Sequence, residues 1–298
     1  AVTAAYTIAD NLIGSTVIAN SIAVAVSGTA ASSFTGILCN TTGAISVPGN
    51  TVQNCTVNAT GASLFTGIST ASSAGVVSVT NNNIISCTHN GSGTFTVITN
   101  AAAATTLNIT GNIIRNLAIN NATSQLLGII NSGAVTSAIN INSNQFGNAT
   151  GGLVTFSVAS AATHNIIINV SGGSAAALSI QSNDIQGITN TVSGACNFNF
   201  ITNSAPTLSQ NISTNTFTAL SITSTGNITF ISNSVSLGAT GSKIIKDNAI
   251  VTSFTKTGGG SNLYFYNDVG GSVAGASIIN EGNNFSNITI SGAILCNG

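Results

Sequence analysis

The stretch ITGNIIRNL, Ile109 to Leu117, sets an asparagine three residues after one branched apolar residue and two before another. The same apolar-x-x-Asn-x-apolar frame recurs at Ile8/Asn11/Ile13, Val47/Asn50/Val52, Val79/Asn82/Ile84, Ile141/Asn144/Phe146, Ile180/Asn183/Ile185, Ile212/Asn215/Phe217 and Ile245/Asn248/Ile250. A degenerate ninth copy centres on Asn283 and Phe285, and successive asparagines lie 39, 32, 30, 32, 39, 32, 33 and 35 residues apart. Self-similarity at such a period marks a solenoid, in which each unit is too small to bury its own apolar face and must stack on its neighbours.

A second mark falls between the asparagines: FTGI at Phe34 and Phe65, FTVI at Phe95, LLGI at Leu126, VTFSV at Val154, FNFI at Phe198, ITFI at Ile228 and LYFY at Leu263. These short alternating runs read as strands, and the Gly, Ser, Thr, Ala and Asn between them read as turns. No stretch reads as a helix. The expectation is an all-β parallel β-helix of about nine rungs, a rod about 43 Å long at about 4.8 Å per rung. A sharp corner between strands needs a left-handed residue, which asparagine tolerates, and its amide can bond the equivalent amide one rung away. The frame therefore predicts a column of Asn11, Asn50, Asn82, Asn112, Asn144, Asn183, Asn215, Asn248 and Asn283.

At these residues the chain resembles the secreted right-handed parallel β-helix proteins, the pectate-lyase-like superfold, whose turns carry an Ile-x-x-Asn-x-Ile pattern. The resemblance covers nearly all 298 residues. It implies a right-handed coil in a single domain spanning residues 1–298, and an exported protein; function on such a fold must be argued from sites. The polysaccharide lyases and hydrolases of that family use clustered acidic residues, often with calcium.

Only 3% of this chain is charged, with a net charge of -1. Ordinary soluble domains carry roughly 25% charge. Arg115, Lys243, Lys246 and Lys256 cannot neutralise a nucleic-acid backbone. Mean hydropathy is positive, yet no apolar run approaches the roughly 20 residues of a spanning helix, and without tryptophan the aromatic girdles of an outer-membrane barrel are missing. Neither nucleic-acid binding nor membrane insertion is expected.

The five acids argue against an enzyme. Asp10 and Asp247 precede a ladder asparagine and Asp184 follows one, so they lie many rungs apart, unlike a carboxylate pair or a calcium site. His89 and His164 have no acid nearby in sequence, and no nucleophile triad is visible. No cofactor or metal is expected. Lys243, Lys246, Asp247, Lys256, Asp268 and Glu281 read as a solvated patch. Cys55 and Cys87 each follow a ladder asparagine by five residues and should share one inward slot on adjacent rungs, as a buried apolar stack or as a disulfide.

Neither terminus reads as a polar cap. Ala1, Val2 and Tyr6 open what looks like a standard rung, and Ile294, Leu295 and Cys296 look like a strand within one. AILCNG near the end echoes GILCNTTG, Gly36 to Gly43; Cys39 precedes Asn50 by 11 residues, and Cys296 would precede the Asn11 of a following copy by 13. The expected function is an extracellular or cell-surface structural protein whose partner is itself, stacked head to tail with lateral bundling. The alternative is a segment of a longer surface adhesin binding carbohydrate, with Tyr264 and Tyr266 as adjacent aromatic platforms. An ice-binding face would need Thr-x-Thr at one register; Thr94/Thr96 answer to SLFTG, SQLLG and NLYFY, which breaks that array. The opening residues Ala1 to Ala4 have the small side chains found just after a signal cleavage site.

Overall fold

The computed structural model describes residues 4–25, 30–59, 61–292 and 295–297. In it the stretch Ile109 to Leu117 turns two corners. Ile109 lies near the end of strand Ala103–Thr110, Gly111 and Asn112 turn into Ile113–Arg115, and Asn116 turns again into Leu117–Ile119. Strand Gln125–Asn131 completes a four-sided coil.

Each strand pairs in parallel with its equivalents in the coils below and above, giving four sheets. The first, third and fourth hold nine strands and the second holds eight. There are thus eight complete coils and a ninth, whose second face contributes only the bridge Ala249–Asn284. Among the described residues there is no helix. The chain is an all-β parallel β-solenoid.

All nine expected asparagines form one column. Each Nδ2 donates to the Oδ1 of the next coil's asparagine, from Asn11 to Asn50 through to Asn248 to Asn283, at 2.8 to 3.0 Å. Each backbone N–H donates to that same Oδ1 at 2.8 to 3.1 Å. The second Nδ2 proton reaches a carbonyl of the coil below, as from Asn112 to Val79 at 2.9 Å. A buried carboxamide is affordable only when fully bonded, and here Asn50 through Asn248 are no more than 1% exposed with every donor and acceptor used.

The expected corner conformation needs correction. The left-handed residue is the one before the asparagine: Asp10, Gly49, Asn81, Gly111, Ser143, Ser182, Thr214, Asp247 and Gly282 all have φ between 54° and 68°. The ladder asparagine itself does not take a positive φ, and its amide bonds along the stacking axis. The cost of the turn, of order 1 kcal/mol for a non-glycine residue, therefore falls on its neighbour.

Inside the coil the flanking apolar residues stack in columns. Ile109, between Val79 and Ile141, and Ile114, between Ile84 and Phe146, are fully buried. The fourth face departs from simple alternation, because its strands turn two consecutive residues inward: Gly67 and Ile68 are both buried between the outward Thr66 and Ser69. Small residues there leave room for rings across the coil. A Cβ on Gly128 would come within 2.6 Å of Phe146 Cε1.

Asn144→Ala should lower stability by about 3 to 5 kcal/mol, since it strands the backbone N–H and Nδ2 of Asn112 without an acceptor. Asn83→Ala removes only an outward contact of 3.4 Å to Thr51 and should cost less than about 0.5 kcal/mol. Equilibrium urea unfolding of the two variants measures the difference; equal losses would show that the ladder does not stabilise the coil.

Candidate functional site

A second amide column, unforeseen from the sequence, runs along the end of the fourth face. Thr70, Asn100, Asn131, Asn169, Asn203 and Asn233 occupy equivalent positions on successive coils. Nδ2 donates to the next Oδ1 at 2.7 to 3.0 Å from Asn100 up to Asn233. The signal was present as the recurring I-T-N, I-I-N and I-S-N that closes each strand, but it abuts turns and reads as turn chemistry. The column begins at Cys39, which pairs with Thr70, and ends at Asp268, since Ser232 pairs with Asn267.

Asp268 organises a buried polar centre. Lys243 fills an inward position on the first face, above Gln210 and Leu178 in a column that is apolar in lower coils. Its side chain is 0% exposed and its Nζ donates to both carboxylate oxygens of Asp268 at 2.8 Å and to the Val235 carbonyl at 3.1 Å. The Tyr266 hydroxyl donates to Asp268 Oδ2 at 2.8 Å and the Gly270 N–H to Oδ1 at 3.0 Å. Burial and the adjacent carboxylate hold the Tyr266 phenol far above its ordinary range, so it stays a donor.

The expected solvated patch is therefore corrected. Lys243 and Lys256 are both fully buried, because the coil brings carbonyls and a carboxylate to them that are remote in sequence. Lys256 Nζ donates to the Ser224 and Gly258 carbonyls at 2.7 and 2.9 Å, and burial lowers its pKa. Lys246 and Glu281 form an exposed pair at 2.8 Å. Asp184 accepts from Thr216 Oγ1 at 2.8 Å and from Gln186 Nε2. Among the described residues no three His, Cys, Asp or Glu side chains come together as a metal would need, and no helix is long and apolar enough to cross a membrane.

Both histidines lie in the interior. His89 places Nε2 at 2.9 Å from the Ser63 carbonyl, which calls for a proton on Nε2, and Nδ1 at 2.8 Å from Ser124 Oγ. Burial pulls its pKa down. His164 sits between Phe156 and Phe198 with ring centroids 4.4 and 4.9 Å away. Its Nδ1 accepts from the Leu126 N–H, and desolvation pushes its pKa down to about 4. Cys55 and Cys87 share the inward slot that continues to Leu117, and both are free, buried thiols. The hydrogen bond with Cys55 and burial hold the Cys87 thiol far above its ordinary range.

Of the residues expected at an end-to-end contact, Ala1, Val2 and Ile294 lie outside the described residues. Tyr6 is 49% and Leu295 69% exposed, and Cys296 is exposed. Cys296 pairs with Leu263 and so falls in the column that begins at Phe34, whereas Cys39 belongs to the second amide column. The echo between the two LCN triplets is thus not structural. Tyr264 and Tyr266 do not make one platform: Tyr266 packs against the core, for it occupies the second inward position of its strand, level with Ile231.

The outward side of the third face carries a regular array. Thr88, Ala118, Thr155, Thr189, Ser221, Thr255 and Thr289 form one column. Beside it run Asn58, Asn90, Asn120 and Ser157, bonded in sequence at 2.6 to 3.0 Å, and farther up Thr223 and Thr257, 2.7 Å apart. The Thr-x-Thr register sought on the fourth face is broken there, as expected, but the third face presents hydroxyls and amides coil after coil. No family model, curated protein or solved structure matches the chain.

The histidines set an acid limit. Unfolded histidine takes its proton near pH 6.5, but folded His164 does so only near 4, so the unfolded chain binds the proton first. Stability should be complete above pH 6.5 and fall by roughly 3 kcal/mol as pH drops to about 4. Thermal unfolding across that range checks this, and His164→Leu should flatten most of the fall; an unchanged slope in that variant would place the acid sensitivity elsewhere.

Proposed function

We propose that the protein is an extracellular structural element, a stiff solenoid rod extended by further coils of its own kind stacked on its open faces. The observation that carries this reading is the state of the outermost described coils. Strand Ser277–Glu281 is exposed along its whole length, with the inward-facing Ile278 uncovered, and at the opposite end the inward-facing Tyr6 is uncovered. An open strand edge beside uncovered core residues is a template for strand addition, and a head-to-tail contact that does not close gives a filament. The resemblance to secreted right-handed β-helix proteins supports export. A surface of amides and hydroxyls with almost no net charge offers little repulsion between rods, and four Lys and Arg residues, two of them buried, leave few sites for trypsin-like proteases. The reading has no catalytic component.

The coil that covers each open face belongs either to a second copy or to the same polypeptide in a longer surface protein. The mass of the native polypeptide separates these. Electron microscopy of the purified 298-residue chain at micromolar concentration should show rods several times about 43 Å long; a field of single short rods would remove the self-stacking proposal.

The third face favours a second reading, an ordered-water or ice-binding surface, since its hydroxyls repeat about 4.8 Å along the rod and about 6.6 Å across a coil. On that reading the chain shows thermal hysteresis and Thr189→Tyr, at the middle of the face, reduces it severalfold. Absence of hysteresis in the folded protein would eliminate this reading and leave the structural one standing.

A further inference from the structure

We propose that Lys243 and Asn233 are joined by an intramolecular isopeptide bond, formed without a cofactor and assisted by Asp268. Three groups of complementary chemistry meet in one corner: a buried amine, a carboxylate and a carboxamide.

Asn233 differs from the other members of its column. Asn100, Asn131, Asn169 and Asn203 each donate Nδ2 to the next coil's amide oxygen. Asn233 has Asp268 as its neighbour above, yet its Nδ2 is buried without a partner. The Asp268 oxygens are turned to Lys243, Tyr266 and Gly270 instead. Meanwhile the Asn233 oxygen accepts from Asn203 Nδ2 at 3.0 Å. A donor on the oxygen and none on the nitrogen is the polarisation that makes a carboxamide an acyl donor with nitrogen as leaving group.

Lys243 Nζ is brought to the backbone just beyond this amide. It bonds the carbonyl of Val235, two residues beyond Asn233. The corresponding carbonyl in a lower coil, Ala102, is the one that Asn100 Nδ2 itself reaches at 3.2 Å. The amine therefore takes the carbonyl equivalent to the one that an amide nitrogen of this column reaches in a lower coil, and the short contacts to Asp268 supply a route for its proton.

Asp268 takes a proton from the Lys243 ammonium, and the freed lone pair on Nζ attacks Cγ of Asn233. The charge that develops on Oδ1 is held by Asn203 Nδ2. Asp268 returns the proton to the amide nitrogen, the Cγ–Nδ2 bond breaks, and the departing ammonia takes a further proton from Nζ by way of Asp268. One ammonium and one carboxamide become one secondary amide and one ammonium ion, with Asp268 unchanged and no oxidant or reductant used. The partial exposure of Asp268, 16%, gives the ammonium a way out. The product removes a buried charge that would otherwise need permanent pairing and clips the loop between the seventh and eighth coils.

Intact-mass spectrometry of the purified, folded full chain tests this directly. The expected mass is one ammonia below that of the sequence, with proteolysis yielding a branched peptide that links Lys243 to Asn233. Lys243→Met and Asp268→Asn should each return to their own sequence mass. A folded wild-type chain at full sequence mass overturns the proposal. Loss of one water, with the branch at Asp268, overturns the choice of Asn233 as acyl donor. Should the variants fail to fold, the wild-type mass and peptide map still decide.

Discussion

The rest of the structure depends on one hydrogen-bonded amide per coil. Sliding a strand by one residue would turn its inward column out to solvent, but a slip of two residues keeps the alternation and is opposed only by side-chain shape. The asparagine column removes that freedom. Oδ1 takes two donors from the coil below and Nδ2 reaches both a carbonyl below and an oxygen above, so any other residue at the position leaves several buried groups unpaired. Coils of 30 and of 39 residues therefore stack in the same frame. Extra residues are pushed out at corners, as between Gly147 and Leu153, and the faces remain in phase.

The same chemistry explains how so little charge suffices. A carboxamide can be donor and acceptor at once, so it repeats along an axis without the like-charge repulsion that a column of carboxylates or amines would suffer. Two amide columns at two corners and the outward Asn58 to Ser157 run use this property. The two buried lysines meet groups that can pair them: Lys243 the carboxylate of Asp268, where the second amide column ends, and Lys256 the carbonyls of Ser224 and Gly258.

The first column was legible because its asparagine is flanked on both sides by inward branched residues at fixed offsets, a frame that survives variable spacing. The corner conformation was not, because Asp, Gly, Asn, Ser and Thr all serve at the left-handed position before it and no single letter repeats. The second column repeats in the sequence, but as a strand-terminal asparagine beside a loop it is indistinguishable from a turn. Burial of Lys243 was hidden by distance: Asp268 lies 25 residues away and the coil alone brings them together. Tyr266 was misplaced for a different reason. Strict alternation predicts it to face the same way as Tyr264, and the paired inward residues of the fourth face shift the phase after one step.

Polarity of the amide column constrains how such rods can meet. From Asn11 to Asn248 every Nδ2 donates toward the later coil, so the column is a one-way chain of donors. At one tip Asn11 offers Oδ1, which among the described residues accepts nothing. At the other, Asn283 offers its backbone N–H, while its Nδ2 turns back to Asn280 Oδ1 at 2.8 Å for want of a further amide. Two like tips would set acceptor against acceptor or donor against donor, whereas unlike tips complete the pattern once Asn283 releases Asn280. Under the stacking proposal, a two-fold end-to-end dimer is disfavoured on hydrogen bonding alone. Growth then runs in one sense, each new coil meeting the column as the coils within the chain do.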